Sequence, residues 1–491
     1  MAKAKKNEPA IASDFEGGVE NTDLDKYIEN VMQEYGSYVV ENRAIPDIRD
    51  GLKPVHRAIL WSMYDLKLHY KSGYKKAART VGDVIGRFHP HGDQAAYGAM
   101  VTLANSVPNL VDGYGNWGDH VNNAAAYRYT EARLSEIADK FLLDPDYLQV
   151  VPFVDNFSGD TRWPLFLPAK LPILLLVGSP TVPAYGISAG TPPFTIKSVL
   201  KLVTMALEGK TITPKLCAKH LQFNFPYGGK CISSEQELVT FFENGKGSVK
   251  FEPEYEVDYD ENEFHILSAA PGFMSETGIN KKLQAISEMT AVSGVSDQGG
   301  DEASKYGIKY VIKFKRMVEE AIDDAVDAIL KKITGSHSFD VGYTHRKTDG
   351  TVFGRKTIPS IIHSWVKYRE ALENRVLKML IGKEEDKLEK QKLLLFAVDN
   401  VDAIFESLRT KDPDAYLMDK LDKPADFVKS LLDLPVRRLA KLNRNSVKQR
   451  MTDIKKDIAY YKDEMKNLPV RIVGQLKTVN SEYANKTNDK L

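Results

Sequence analysis

A repeating apolar pattern near the end of the chain constrains the fold more than any other feature of the sequence. Apolar side chains recur at alternating intervals of four and three residues, at Val447, Met451, Ile454, Ile458, Tyr461, Met465 and Leu468. This spacing is typical of a coiled coil, in which the apolar stripe of one helix is covered by a second helix. The pattern therefore predicts a long helix with a partner packed along it.

The partner helix is predicted between about Pro359 and Leu408, with the charged stretch KEEDKLEKQK (383–392) in its middle. A small apolar segment, roughly Phe405 to Leu439, lies between the two helices. Two helices joined in this way form an antiparallel stalk with a globular tip. Because an exposed apolar tip is most simply buried against a copy of itself, we expect a homodimer.

The charge of the chain is balanced overall but not locally. Its 491 residues include 67 Lys and Arg and 67 Asp and Glu, which excludes a polycation that holds DNA by bulk charge. Residues 41–100, however, carry ten Lys and Arg against six Asp and Glu. The chain has two cysteines, no apparent signal peptide and no apolar run long enough to cross a bilayer, so we expect an intracellular protein without a membrane partner.

Two further regions are distinguished outside the stalk and the basic segment. Residues 1–22 are polar and without periodicity, which predicts a flexible tail. Residues 151–345 mix strand-like runs, at 174–177 and 307–314, with helices and turns, as an α+β domain does. The acidic stretch EPEYEVDYDENE (252–263) predicts an edge strand with one solvated face, and this explanation is preferred over a metal site.

Two short helices are predicted in the basic region. The first begins at Pro54, a residue suited to the first helical position, and the second covers residues 75–87. The second helix is expected to bury Ala78, Val81, Val84 and Ile85 and to expose Lys75, Lys76, Arg79 and Arg87. Two short helices with cations on the second resemble a helix-turn-helix, although any one of these cations is more often a solvated surface residue.

Several apparent cofactor motifs are set aside. The glycines of DGYGNWGD (112–119) follow no buried strand and open no helix, so a dinucleotide site is not predicted. The sequence has no P-loop. Pro90 prevents His89 and His91 from sharing a helix face, which favours phosphate contact or local bonding over metal binding. No metal site is predicted in this chain.

The segment AAAYRYTEARLS (124–135) places Tyr129 directly after Arg128. A nucleophilic tyrosine needs a cation to stabilise the charge that develops on an attacked phosphate. It also needs a route for its proton, since a free phenol has a pKa of about 10. On its own, however, a Tyr beside an Arg is far more often a packing residue than a catalyst.

Four segments together resemble a known family. They are RAIPDIRDGLKPVHR (43–57), KKAARTVGDVIGRFHPHGD (75–93), LVDGYGNWG (110–118) and RYTEARL (128–134). Their order and spacing are similar to those of the breakage-reunion subunit of type IIA DNA topoisomerases, the gyrase A and ParC family. The resemblance continues through the predicted stalk. Because the chain ends at Leu491, where bacterial members usually continue into a DNA-wrapping domain, it looks like the medium subunit of T-even-type bacteriophage members.

The resemblance implies a fold and a set of functional residues. It implies a winged-helix DNA-cleavage domain at 23–150, an α/β tower domain at 151–345, and a coiled-coil and C-gate dimerisation domain at 346–491. Tyr129 would attack a DNA phosphodiester to give a 5′-phosphotyrosyl link, and Arg128 would stabilise the transition state. The expected DNA-contacting residues, from the resemblance and from the basic helix, are Lys53, His89, His91, Arg43, Arg49, Arg57, Lys75, Arg79 and Thr191.

The resemblance also implies partners and cofactors. Double-stranded DNA would be the substrate of a homodimer, and a gyrase B-like large subunit would carry the ATPase domain and the Mg²⁺-binding Toprim domain. This chain would then bind neither ATP nor Mg²⁺ by itself, and it would act in the host cytoplasm or nucleoid. The lack of a wrapping domain predicts relaxation and decatenation rather than supercoiling.

The sequence departs from the family at three positions and leaves two questions open. Gln94 and Gly98 replace a Ser and an acid that bacterial members use in binding quinolones, and Thr191 replaces a DNA-bending isoleucine. Tyr127 is a rival to Tyr129 as the nucleophile. A non-catalytic, dimeric, DNA-binding architectural protein is the alternative function.

Overall fold

The computed structural model describes residues 23–39, 45–184, 187–271, 276–300, 302–347, 350–434 and 443–484. The predicted tail (1–22) and Arg43 lie outside these ranges. None of the helices in the described ranges is both long and apolar enough to cross a membrane.

The described residues between 23 and 150 form helices and a three-stranded sheet. The helices are α1 (Leu24–Val39), α2 (Pro54–Asp65), α3 (Ala77–Arg87), α4 (Asp93–Asn105), α5 (Glu136–Phe141) and α6 (Pro145–Leu148). The strands are β1 (Lys75–Lys76), β2 (Val111–Tyr114) and β3 (Glu131–Leu134), in the order β1–β3–β2. Helix α2 begins at Pro54, as predicted.

The second predicted helix starts two residues later than the sequence indicated. Lys75 and Lys76 pair with β3 as a short strand, so α3 begins only at Ala77. The prediction of its inward face was correct for Val81 and Val84, whereas Ala78 and Ile85 are only half-buried. Their places in the core are taken by Ala77 and Thr80.

The next part of the chain forms a hairpin and a five-stranded sheet. The hairpin pairs β4 (Phe153–Asp155) with β5 (Arg162–Pro164). The sheet has the order β6–β7–β14–β9–β8, from β6 (Ser179–Ala184), β7 (Ile187–Thr191), β8 (Lys230–Cys231), β9 (Lys246–Glu252) and β14 (Gly335–Asp340). The accompanying helices are α7 (Ile173–Leu176), α8 (Ile196–Leu207), α9 (Pro214–His220) and α10 (Glu235–Asn244).

The predicted strand at 174–177 is wrong, because these residues belong to the short helix α7. The backbone N–H groups of Leu175 and Leu176 donate to the carbonyl of Pro172, and the four apolar side chains of the helix are all buried. A short apolar run fits a buried helix as well as a buried strand, so periodicity does not separate the two.

A four-stranded antiparallel sheet forms a second apolar core. Its order is β10–β11–β13–β12, from β10 (Tyr255–Asp258), β11 (Glu263–Ile266), β12 (Val292–Asp297) and β13 (Tyr310–Phe314). Helices α11 (Glu276–Ser287) and α12 (Glu319–Ile333) pack on it. The predicted strand at 307–314 is confirmed over Tyr310–Phe314. The acidic stretch 252–263 is not one strand, because the chain turns at Asn262, which has a φ of 53°; its central part is the edge strand β10.

The last third of the described chain is mainly helical. After a hairpin of β15 (Gly342–Lys347) and β16 (Gly350–Arg355) come α13 (Ile358–Asp399), α14 (Val401–Ser407), α15 (Pro413–Leu421), α16 (Ala425–Leu432), α17 (Arg444–Lys466) and α18 (Leu468–Tyr483). The first long helix ends at Asp399 rather than near Leu408, because Asn400 leaves the helical conformation.

Helices α13 and α17 run antiparallel. Arg444, at the start of α17, pairs with Asp399 at the end of α13, and Lys462 pairs with Glu385 further back along α13. All seven residues of the apolar repeat are buried or half-buried. Helices α14 to α16 form a small separate apolar cluster at the far end of the pair. The predicted apolar tip is described only as far as residue 434.

A buried network of charges joins the base of this helix pair to the N-terminal region. Both oxygens of the Glu373 carboxylate in α13 accept hydrogen bonds, from Tyr147 of α6 and Arg369 on one side and from Arg471 of α18 on the other. Burial alone raises the pKa of Glu373, but the positive charge of Arg369 and these hydrogen bonds outweigh it and hold the pKa at about 2.

Candidate active site

Tyr129 lies in a turn that is held by the N-terminus of helix α3. The backbone N–H groups of Ala77 and Ala78, which have no partner within their own helix, donate to the carbonyls of Thr130 and Tyr127 at 3.0 and 3.2 Å. The Lys76 ammonium lies 3.3 Å from the Tyr129 carbonyl oxygen. The turn is therefore fixed through its backbone, and this leaves the tyrosine side chain 64% exposed.

Helix α4 holds the same turn from the other side. The buried Tyr97 donates a hydrogen bond of 2.6 Å to the carbonyl of Ala125, and its hydroxyl is 2.9 Å from the Thr130 hydroxyl. Because two helices fix the backbone on either side of Tyr129, the phenol projects from a rigid support rather than from a loose loop.

The two candidate tyrosines have opposite electrostatic surroundings. A hydrogen bond with the Arg128 guanidinium, together with its positive charge, lowers the pKa of Tyr129, and the guanidinium carbon lies 4.7 Å from the centre of the ring. Tyr127 instead donates a hydrogen bond of 2.9 Å to Asp93, which raises the pKa of Tyr127. Of the two, Tyr129 is the exposed phenol that ionises more readily.

The loop before this turn connects it to the four-stranded sheet. The Asp119 carboxylate accepts from the N–H groups of Val121 and Asn122, so the tip of the loop closes on itself. His120 Nε2 lies 2.9 Å from the Tyr310 hydroxyl of β13, and Val121 packs against the apolar core of that sheet. The loop that leads into the Tyr129 turn is thus in direct contact with the second core.

The expected DNA-contacting residues fall into two groups in the structure. Lys75 and Arg79 are exposed near the start of α3, and the rings of His89 and His91 stack at 4.2 Å. Lys53 is buried at the start of α2, and this burial lowers the pKa of its ammonium to about 8. Lys75 and Arg79 thus place exposed cations next to the Tyr129 turn, whereas Lys53 is covered by protein.

Three other expected contacts are buried and hold the fold together instead. Arg57 is fully buried, with its guanidinium donating to both oxygens of Asp50, and Arg49 forms a buried ion pair with Asp47 at 2.7 Å. Thr191, the expected wedge, is 1% exposed and pairs with Ser179. These positions offer no side chain to DNA in the described structure, because each is already covered by protein. Arg43 is not among the described residues.

Other residues around the turn were not predicted from the sequence. Tyr97 and Asp93 reach it from 28 to 34 positions away, and no local pattern signals contacts of that range. Lys76 was expected only as an outward cation of a helix. Its strand pairing with Glu131 places its ammonium against the Tyr129 backbone.

The acids around the turn are already engaged. Glu131 pairs with Lys76 at 2.9 Å, Asp112 pairs with Arg133 at 2.7 Å, and Asp93 accepts from Tyr127. Within the described ranges, no cluster of three or more His, Cys, Asp or Glu side chains is suited to hold a metal ion. The side chains at this site therefore fit phosphate chemistry by a phenol and cations.

Comparison with known proteins identifies the family. Over residues 43–473 the sequence matches the family of the A subunits of DNA gyrase and topoisomerase IV. It is 32% identical over 459 residues to the A subunit of DNA topoisomerase 4 from Haemophilus influenzae, covering 90% of this chain and 59% of that protein. It is 30% identical over 495 residues to the A subunit of DNA gyrase from Clostridium acetobutylicum, covering 95% of this chain and 57% of that protein.

A similar relation holds for the A subunit of DNA topoisomerase 4 from Escherichia coli, with 31% identity over 447 residues that cover 88% of this chain and 58% of that protein. The chain spans less than two thirds of the length of each of these relatives. The matched residues include α2, α3, the Tyr129 turn and the whole antiparallel helix pair. The chain belongs to the family of DNA gyrase and topoisomerase IV A subunits.

Proposed function

We propose that this chain is the DNA-cleaving and religating subunit of an ATP-dependent type IIA topoisomerase. The single observation that carries the proposal is the Tyr129 phenol, exposed on a turn that α3 and α4 fix, with its pKa lowered by Arg128. An exposed phenol next to a guanidinium is the arrangement that attack on a phosphodiester requires.

In the proposed reaction, the Tyr129 oxygen attacks a phosphorus atom of the DNA backbone. A bond forms between that oxygen and phosphorus, the bond from phosphorus to the 3′-oxygen breaks, and the 5′ end stays linked to the tyrosine. The phenol proton passes to solvent, and the departing 3′-oxygen takes up a proton. Because one phosphodiester replaces another, the reverse step religates the strand without ATP.

The cations of the site have separate roles in this proposal. Arg128 stabilises the additional negative charge on the phosphate during attack. Lys75 and Arg79, exposed on β1 and α3, neutralise neighbouring phosphates, and the stacked pair His89 and His91 contacts the DNA backbone nearby. Lys76 holds the backbone of Tyr129 in place through its contact with the carbonyl.

We assign Mg²⁺ and ATP to a gyrase B-like partner. The acids around the Tyr129 turn are each bonded to a neighbouring side chain, which supports a metal carried by the partner. Mg²⁺ bound there would add positive charge at the reacting phosphate.

We also propose a homodimer in which two copies of Tyr129 cut opposite strands of double-stranded DNA. The dimer would be joined through the tip beyond α13 and at the DNA-binding domains. Several finer points stay predictions. They are the winged-helix, tower and C-gate domain assignments, the closeness to the phage medium subunit and a cytoplasmic location. Relaxation and decatenation of DNA, rather than supercoiling, is also still a prediction.

The test compares Tyr129→Phe with Tyr127→Phe as the matched control. Each variant is mixed with the gyrase B-like partner, Mg²⁺ and circular DNA, and covalent complexes are trapped by denaturation. We expect Tyr129→Phe to abolish covalent DNA, since the attacking oxygen is gone, and Tyr127→Phe to retain it. Activity that survives in Tyr129→Phe contradicts the assignment, and no covalent DNA with the unaltered chain supports the architectural alternative.

A further inference from the structure

An exposed aromatic pair lies on the three-stranded sheet next to the Tyr129 turn. Tyr114, the last residue of β2, is 64% exposed, and its ring lies 5.5 Å from that of Tyr74, with an angle of 34° between the planes. One side of the Tyr114 side chain is thus supported by protein, while much of the rest faces solvent. A ring held open in this way is suited to stacking against a flat partner.

The supporting ring is itself held in place. The Tyr74 hydroxyl donates a hydrogen bond of 2.9 Å to Asp112, and Arg133 donates to the same carboxylate oxygen at 2.7 Å. The Arg133 guanidinium carbon also lies 4.2 Å from the centre of the Tyr74 ring. We call the set of Arg133, Tyr74 and Tyr114 the tyrosine platform.

The backbone under Tyr114 has little freedom to move. A Cβ atom added at the preceding residue, Gly113, would lie 2.5 Å from the indole nitrogen of Trp117, so the indole packs directly against the strand. Tyr114 also pairs in register with Glu131 of β3. The position of the exposed ring is therefore set before any ligand arrives.

Strand register places the platform beside the proposed nucleophile. Tyr114 is opposite Glu131, which is opposite Lys76, and paired residues project from the same face of a sheet. Lys76 in turn contacts the Tyr129 carbonyl. A Cβ added at Gly115 would lie 3.9 Å from the Cα of Thr130, so the two backbones stay side by side up to the turn.

The charges on this face do not repel a polyanion. Its two acids, Asp112 and Glu131, are each paired, with Arg133 and Lys76 respectively. The face therefore combines aromatic surface with compensated charge, as surfaces that stack unpaired bases and track a phosphate backbone do.

We propose that the tyrosine platform binds DNA next to the cleaved phosphate, with one base or deoxyribose ring of that strand stacked on Tyr114. The inference rests on the proposed function, because the occupant is inferred from the position of Tyr129. Stacking of this kind tolerates any base and contributes roughly tenfold to affinity. The platform would hold the strand end while its phosphate is joined to Tyr129.

The experiment uses the chain with its gyrase B-like partner, Mg²⁺ and a duplex that carries the fluorescent base 2-aminopurine beside the cleaved phosphate. We expect Tyr114→Ala to weaken DNA binding about tenfold and to reduce the quenching of the fluorescent base on binding. Tyr114→Phe keeps the ring and should behave as the unaltered chain. Tyr114→Leu covers Tyr74 without an aromatic face, so it should resemble Tyr114→Ala if stacking is what matters.

Tyr460→Ala is the matched control. Tyr460 is 55% exposed on α17 with its ring 5.6 Å from Tyr461, so the variant removes a similar exposed tyrosine far from the turn. Equal affinity and equal quenching in Tyr114→Ala, Tyr114→Leu and the unaltered chain overturn the platform.

Covalent trapping of DNA on Tyr129 distinguishes a failure of the proposed function from a failure of the tyrosine platform. If the unaltered chain traps no DNA, the proposed function fails. If it traps DNA and the Tyr114 variants show unchanged binding and unchanged cleavage positions, only the platform is wrong.

Discussion

Two tyrosines of identical chemistry stand two positions apart in this chain, and their neighbours give them different properties. Tyr127 turns toward Asp93, whose carboxylate accepts its proton in a hydrogen bond and raises the pKa of the phenol. Tyr129 projects to solvent beside Arg128, which lowers its pKa. At the scale of single residues, the direction of each side chain therefore decides which tyrosine is suited to attack a phosphate.

Replacing Arg128 with Gln should move the pH dependence of cleavage. A lowered pKa means that more phenolate is present at a given pH, so removing the guanidinium returns the pKa of Tyr129 toward its ordinary value of 10.0. We expect the cleavage rate of Arg128→Gln to rise only at higher pH, and to be reduced roughly 100-fold near neutral pH because transition-state stabilisation is lost. Single-turnover cleavage measured across a pH series checks this.

Arg128→Lys is the control for that series, because it keeps the charge and loses the planar guanidinium. It should fall between the unaltered chain and Arg128→Gln. An identical pH profile in all three proteins contradicts the role given to Arg128.

At the scale of secondary-structure elements, the charge network around Glu373 of α13 connects four helices. Tyr147 of α6 and Arg471 of α18 both donate hydrogen bonds to the Glu373 carboxylate. Arg471 also donates a hydrogen bond to Glu464, near the end of α17. The network thus bridges the break at Asn467 that separates α17 from α18. It fixes the direction in which the antiparallel helix pair leaves the N-terminal domain.

Glu373→Gln should destabilise the fold in a pH-dependent way. Removing one partner of a buried ion pair leaves the other charge uncompensated and costs roughly 3 kcal/mol at neutral pH. The pKa of Glu373 is about 2 in the folded chain against an ordinary 4.5, so its ionisation stabilises the fold above pH 4.5. This contribution is lost as the pH falls from 4.5 toward 2.

Denaturant unfolding of both proteins at a series of pH values measures the difference in the free energy of unfolding. The difference should narrow as the pH falls below 4.5. A difference that stays constant across that range contradicts the ion-pair explanation.

The elements show what local sequence patterns predict and what they miss. The apolar repeat predicted α17 and its antiparallel partner, because an apolar stripe along one helix must be covered by another surface. The repeat was expected to lie in one helix, but its last residue, Leu468, begins α18 after the break at Asn467. Lys75 and Lys76 looked helical by spacing, but pairing with β3, more than fifty positions away, makes them a strand. Long-range pairing leaves no periodic signal in the segment itself.

The residues of the candidate site also differ in whether a local sequence pattern predicts them. Tyr129 and Arg128 were predicted from a motif, whereas the residues that fix their turn, such as Tyr97, act across contacts that only the fold creates. Arg57 was expected to contact DNA because the family resemblance placed it among the residues near the break. It is buried because Asp50 accepts from it and from the Leu167 backbone at the same time.

At the scale of the whole molecule, a net charge of zero is compatible with the proposed binding of DNA, because the charge is distributed unevenly along the chain. The chain has 67 positive and 67 negative residues, but they are not evenly placed. Residues 41–100 form a basic segment, and β10 is an acidic edge strand. The molecule also carries an apolar cluster at the far end of the antiparallel helix pair, well separated in sequence from the Tyr129 turn. A dimer joined there would leave the proposed DNA-binding surface open.

Charged substitutions at the tip should break that dimer. Leu408 and Met418 are exposed apolar residues beside the tip cluster. We expect the unaltered chain to sediment as a dimer of 55.1 kDa subunits, and the double variant Leu408→Asp, Met418→Asp to shift toward a monomer at the same concentration. Val318→Asp, an exposed valine before α12, is the control and should stay dimeric. A double variant that remains fully dimeric contradicts dimerisation through the tip.

The most direct test of the central claim is to identify the amino acid that becomes linked to DNA. The chain is allowed to cleave DNA in the presence of its partner and Mg²⁺, the complex is denatured, and protease and nuclease reduce it to a peptide with a nucleotide attached. Mass spectrometry should locate a 5′-phosphoryl group on Tyr129. A nucleotide on Tyr127, or on any other residue, contradicts the account.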